Sequence, residues 1–309
     1  MRPTRAFALC LFLGAAACVP ADEALPLGSA QFTVTGRGSP RILSEDVVVD
    51  RWSIHIDRFL LSFKTMTIVN LTNSDQCAYR GRGAQMNTVF EGTEGSIVQA
   101  FNGIRPGDCP DVGMRLGPPD DRTVVGEGAT PADLLTLLTG RPAHALLEAT
   151  ATRKAEPPLP PREAPLPLED EVIRVSLRFD TERSSSSFGA CRDAIRGTRI
   201  RPQARYAVFV AIAAAAFFRD AISMNAQLRF SPFADSDRAG DNDGIVTMDE
   251  LDALPLSSAR SYGPFYQLPN GSTRGSFGDY VRAQLMFAVE FGDGGLCNGI
   301  EPGTEDDPP

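Results

Sequence analysis

Histidine and lysine are almost missing from this chain: His55 and His144 are the only histidines, and Lys64 and Lys154 the only lysines, among 309 residues. No G-x-S-x-G elbow accompanies either histidine, so a serine-hydrolase triad has no basis in the sequence. Neither lysine sits in a GxxxxGK[ST] loop, which excludes a P-loop nucleotide hydrolase. His55 falls on the polar side of an alternating segment and His144 at the start of another, so both read as surface or structural residues. The six cysteines contain no C-x-x-C pair, which removes zinc ribbons and thioredoxin-like redox chemistry. Beyond the N-terminus no apolar run reaches the roughly 18 residues of a membrane-spanning helix. The longest, residues 206–218, is closed off by Arg205 and Arg219 and reads as buried core. A basic face is absent as well: the formal charge is −9, the wrong sign for neutralising phosphates, and nucleic acid is excluded as a partner. One catalytic arrangement survives, a pair of carboxylates meeting in space, so a carboxylate-dependent hydrolase stays a minor alternative.

What is present begins with an export signal. The first residues read MRPTRAFALCLFLGAAAC: two arginines, a short apolar run, then small residues ending at a cysteine. Residues 1–17 therefore read as a signal peptide. Ala15-Ala16-Ala17-Cys18 fits a bacterial lipoprotein processing site, with alanine in place of the usual leucine, and Cys18 is the residue to be acylated. Val19 after the cysteine, instead of aspartate, points to the outer membrane or cell surface. Residues 18–30 then form a tether. Removal of Cys10 and acylation of Cys18 leave Cys77, Cys109, Cys191 and Cys297, an even set that implies two disulfides in an exported chain. Of the three pairings, Cys77 with Cys109 and Cys191 with Cys297 keeps each loop within one half of the chain.

The content of 42% hydrophobic and 22% charged residues excludes wholesale disorder and suits one large domain or two modest ones. Trp52, Ile54 and Ile56 alternate with Ser53, His55 and Asp57, and the β-branched and aromatic run 59–69 follows as a second strand. Residues 96–101, 111–116, 144–152, 171–179 and 206–212 are further strands, separated by Gly, Pro, Asn and Asp clusters. The pattern predicts a mainly β chain, with an antiparallel β-sandwich-like domain over 31–213 and a small C-terminal α subdomain over 214–298. In the latter, Ser276 caps a helix with Asp279 three residues on, Phe277, Val281, Leu285 and Val289 recur every fourth position, and Gly292 closes it. Residues 156–167 (EPPLPPREAPLP) are a proline-stiffened surface loop, and 299–309 are a solvated acidic tail.

Residues 235–251 read DSDRAGDNDGIVTMDEL and carry the chemistry. A calcium loop of the EF-hand kind supplies oxygens from alternating side chains, one carbonyl after a turned glycine, and a bidentate carboxylate at its end. Asp241, Asp243, the Ile245 carbonyl, Thr247 and Glu250 match, with Gly244 at the turn and Val246 facing inward. The regular twelve-residue count puts Ala239 first, and a methyl group cannot coordinate. A two-residue expansion repairs this, with Asp237 as first ligand and Arg238 to Gly240 bulging outward. Ser231-Pro232 allows only a short incoming turn, and Pro255 stops the outgoing helix. Two readings stand at this point: a weak structural Ca2+ site with a Kd of about 10⁻⁴ to 10⁻³ M, or a solvated acidic turn that has lost its ion. The charge is concentrated here. Without Arg2 and Arg5 the mature chain stands at −11, of which residues 231–256 hold −6 and residues 292–309 hold −5.

The segments DRWSIHIDRFLLSF, IRPGDCPDVGMRL, HALLEATATR, YAVFVAIAAAAFFRDAI, DNDGIVTMDEL and GDGGLC together resemble secreted lipoproteins of the myxobacterial type that carry an EF-hand or dockerin-like calcium loop. In that group the stretch matching residues 212–218 holds a histidine-aspartate-histidine cluster; here Ala213, Ala215 and Ala216 stand in those places, so no transition-metal site is carried over. The resemblance implies export and a lipid anchor, and it brings no activity. The expectation is a lipid-anchored binding or structural surface protein, not an enzyme, whose partners are the membrane through its anchor and a protein or glycan. The alternative is an adhesion or scaffold module whose acidic loop binds no metal.

Overall fold

The computed structural model describes residues 30–38, 41–69, 84–92, 96–104, 107–108, 111–154, 170–180, 187–191, 199–200, 205–223, 226–263, 265–291 and 295–299. The leader with Cys18, together with Cys77, Cys109, the 156–167 loop and residues 300–309, lies outside them.

In chain order the strands are β1 (Ala30–Gly38), β2 (Ile42–Leu43), β3 (Ser53–Val69), β4 (Ala84–Glu91), β5 (Ser96–Ile104), β6 (Gly107–Asp108), β7 (Asp111–Leu116) and β8 (Val124–Val125). They continue as β9 (Ala143–Arg153), β10 (Glu171–Asp180), β11 (Ser187–Cys191), β12 (Arg199–Ile200), β13 (Arg205–Ile212), β14 (Ile245–Thr247), β15 (Val289–Phe291) and β16 (Gly295–Gly299). The helices are α1 (Pro131–Leu138), α2 (Ser231–Ala239), α3 (Met248–Ala253), α4 (Leu256–Ala259) and α5 (Phe277–Gln284). The chain is mainly β. Among the described residues, fourteen strands form one sheet along the path β14-β10-β9-β3-β7-β11-β16-β15-β13-β1-β5, with β2, β4 and β8 branching from it. The sheet is mixed where the sequence predicts antiparallel pairing alone: β1 with β13, β4 with β8 and β10 with β14 run parallel.

Residues 53–69 form one strand, not two. The pairing of β3 with β9 shifts between Ile56 and Arg58, so Asp57 is an extra residue in a bulge. A bulge flips the side-chain phase, which puts Phe59, Leu61 and Phe63 in the same core cluster as Ile54 and Ile56. The period-two pattern breaks there, and the sequence alone reads the break as an end. Beyond the bulge both faces are covered: Leu60 joins Val89, Leu137, Ala143 and Leu146 in a second cluster under α1. The Arg178 guanidinium fixes α1 by donating to the carbonyls of Thr136, Leu137, Thr139 and Arg141, a cation at a helix C-terminus.

On the opposite face of β3, the main core brings strands from the N-terminal half together with the helices of the C-terminal half. Phe217 packs on Phe59 and Phe179, and Phe233 lies between Phe218, Phe230 and Phe277. The alanine-rich run 213–218 forms a 3₁₀ turn here, Ala214–Phe218, buried except for the half-buried Ala215. Among the described residues no helix is long and apolar enough to cross a membrane. The Ser276–Asp279 capping box starts α5 as expected, but α5 ends at Gln284 and gives way to a 3₁₀ turn and β15; Val289 is a strand residue, and the helix does not run on to Gly292.

Candidate metal centre

The centre is held by α2, β14 and α3. Ser231-Pro232 opens a nine-residue helix, α2, in place of the short turn expected. Proline suits a first turn, where its missing N–H has no intrahelical partner anyway. Phe230, at the N-cap position, offers no capping side chain. Asp50 supplies the acceptor from 180 residues away: its Oδ2 takes hydrogen bonds from Phe230 N at 2.8 Å and Ser231 N at 2.7 Å. Removing such a cap typically costs about 1–2 kcal/mol, so Asp50→Ala should lower the unfolding free energy by that amount in urea titrations, with Asp50→Asn recovering part of it.

Arg238 and Ala239 do not bulge outward; they complete the last turn of α2, and Gly240 is its C-cap. The additional residues of the expanded loop are therefore helical, which carries Asp237 inward to 3% exposure. The chain then folds back over this carboxylate. Asp237 Oδ1 accepts from Gly244 N at 2.9 Å, and the Asp237 carbonyl accepts from Asn242 N at 2.9 Å. Asn242 (φ 57°) and Gly244 (φ 81°) adopt the left-handed conformation that this reversal needs, which asparagine and glycine tolerate best.

Next, β14 joins the sheet edge parallel to β10, with Ile245 opposite Arg174 and Gly244 O accepting from Arg174 N at 2.9 Å. Successive strand carbonyls point to opposite edges, so the Ile245 carbonyl points away from β10. Val246 is fully buried, as expected of the inward position. Thr247 caps α3 and Glu250 completes the capping box, its Oε2 accepting from Thr247 N at 2.8 Å and Thr247 Oγ1 at 3.0 Å.

Asp237, Asp241 and Glu250 each bring a carboxylate oxygen to within 4.8 Å of the others. Among the described residues this is the one group of three acid, histidine or cysteine donors close enough to share an ion. Of the other expected ligands, Asp243 is exposed and commits Oδ1 to Ile245 N at 2.8 Å, and Thr247 Oγ1 is engaged with Glu250. Glu250 Oε1 is buried and has no hydrogen-bond partner. Gly240 makes room for it: a Cβ there would stand 2.5 Å from Oε1.

A charged relay unseen in the sequence backs this unit. Tyr262 donates to Asp235, Arg238 bridges Asp235 and Glu171, and Arg153 binds Glu171 at 2.6 Å. Burial, then the hydrogen bond and charge of Asp235, push the Tyr262 hydroxyl up to about 12. Partial burial works against the Arg238 charge, but Glu171 and Asp235 outweigh it and raise its pKa. These residues are drawn from positions 153 to 262, and only the fold brings them together.

Neither histidine joins the centre. His55 is exposed, with Nδ1 2.8 Å from Asp57 Oδ1, while the Thr150 hydroxyl donates to Asp57 Oδ2 and not to the imidazole. A nucleophile must give its proton to the base, so these three residues do not form a triad. His144 is fully buried among core residues. Comparison with family models, with curated proteins and with solved structures found no match.

Proposed function

We propose that this chain is an exported, lipid-anchored protein of the outer membrane or cell surface, and that its EF-hand-like loop holds a structural calcium ion. Asp237, Asp241, Glu250 and the Ile245 carbonyl are the core ligands. Asp243 and Thr247 complete the shell by turning away from their present partners. The observation that carries the reading is Glu250 Oε1, a buried carboxylate oxygen with no donor, beside two further carboxylates. An unpaired buried acceptor is destabilising by about 1–3 kcal/mol, more when charged, and a cation removes that penalty. All-oxygen donors select a hard cation, and the irregular spacing suits Ca2+, which accepts six to eight ligands in flexible geometry, better than octahedral Mg2+.

The acylated Cys18 attaches the protein to the membrane, and the body presents a binding or structural surface to a protein or glycan. That body is a β-sandwich-like curl of the sheet. A Cβ on Gly92, next to β4, would stand 3.0 Å from Ile212 Cγ2 in β13, so distant parts of the strand path face each other.

Calorimetry on the mature chain after chelator treatment tests the site. A Kd of about 10⁻⁴ to 10⁻³ M is expected, with a stabilisation of about 2.7 kcal/mol when calcium stands at 100 Kd. Asp241→Ala abolishes both effects, whereas absence of heat together with an unchanged Tm at millimolar calcium overturns the reading. Mass spectrometry of the N-terminus from the native host tests the anchor, and a free, unacylated terminus sinks it.

A further inference from the structure

We infer that Cys191 and Cys297 are joined by a disulfide that staples the seam of the sheet. The seam is the pairing of β11 with β16. On one side lies the stretch from β14 to β11, and on the other β16, β15, β13, β1 and β5. Cys191 and Cys297 are register partners in this antiparallel pair.

A bulge makes them so. Gly189 pairs with Asn298 and Cys191 with Cys297, which leaves Ala190 as the extra residue. In an uninterrupted ladder Ala190 would stand opposite Cys297. Register partners in antiparallel strands share a face, and their Cα atoms are about 4.5–5.5 Å apart, inside the 4.4–6.8 Å window of disulfides. The inference is independent of the metal reading, although the covalent ring of residues 191–297 encloses α2, β14, α3 and α5.

The bond forms by thiol–disulfide exchange. The two thiols lose two protons and two electrons to a disulfide oxidant, which leaves as two thiols. Constraint of the unfolded chain is the source of stabilisation, and a loop of about 100 residues lies at the strong end of that effect.

Peptide mapping of the mature chain tests this without prior reduction, after exposure to glutathione disulfide. The tryptic peptides 184–192 and 283–309 should appear linked, and they should separate on reduction. Cys191→Ala should leave Cys297 open to alkylation. Removing both residues in Cys191→Ala/Cys297→Ala should lower the Tm by about 10 °C while the other two cysteines stay oxidised. A link from either residue to Cys77 or Cys109, alkylation of both in the oxidised chain, or an unchanged Tm in the double variant overturns the staple.

Discussion

Replacing Trp52 with alanine is expected to lower the unfolding free energy by about 3–5 kcal/mol. The side chain is fully buried at the entrance to β3, where the sheet meets α2. Its ring lies 4.8 Å from Phe230, the residue that precedes α2, and the Arg153 guanidinium stands over it at 4.9 Å. Arg153 in turn binds Glu171, which holds Arg238 on α2. Truncation opens a cavity between sheet and helix and removes both the aromatic contact and the surface on which the arginine rests. The indole also carries a penalty, because Nε1 is buried without an acceptor. Trp52→Phe keeps a ring against Phe230 and deletes that donor, so it should cost only about 1–2 kcal/mol. Urea unfolding followed by circular dichroism separates the two variants. A loss below 1 kcal/mol in Trp52→Ala would show that the sheet and α2 do not depend on this contact.

Local features were readable where a few neighbouring residues decide the outcome. The Ser276–Asp279 box starts α5, and α3 ends ahead of Pro255, because caps and breakers act over one turn; Thr247 and Glu250, read as ligands, also form the capping box that starts α3. Alternation located the Ile54 and Ile56 face but failed at Asp57, since a bulge changes phase without changing residue type. The C-terminal half of the candidate site was legible from Gly244 to Glu250. Asp237 and Asp241 were also legible, but the path of Arg238 to Gly240 was misread as a bulge because a helix whose cap lies outside its own segment cannot be bounded locally. Asp50 is that cap, and no spacing rule connects residue 50 with residue 231. The parallel seat of β14 on β10 was hidden for the same reason: a three-residue strand draws its position from the sheet edge it finds. What sequence order could not supply in each case was a partner far along the chain.

Acidification should weaken the protein through His144, and the sign follows from burial. Both ring nitrogens are buried without hydrogen-bond partners. Burial pushes the imidazole down from 6.5 to about 4, with the charge of Asp180 opposing the shift. The unfolded chain takes up a proton near pH 6.5, while the native chain refuses it until about pH 4. Above pH 6.5 this residue contributes no pH dependence. As pH falls through the window the unfolded state binds more protons, and stability drops by about 2 kcal/mol between pH 7 and pH 4.5. Below about pH 4 both states are protonated and the loss levels off. His144→Leu fills the same buried space without nitrogens to leave unpaired, and should stay within about 1 kcal/mol of the parent at pH 7. Carboxylates titrate in parent and variant alike, so the difference between their urea midpoints at the two pH values isolates the histidine. An equal acid slope in both chains would mean that His144 reaches water or a partner in solution, and that the buried, neutral imidazole is not the source of the acid sensitivity.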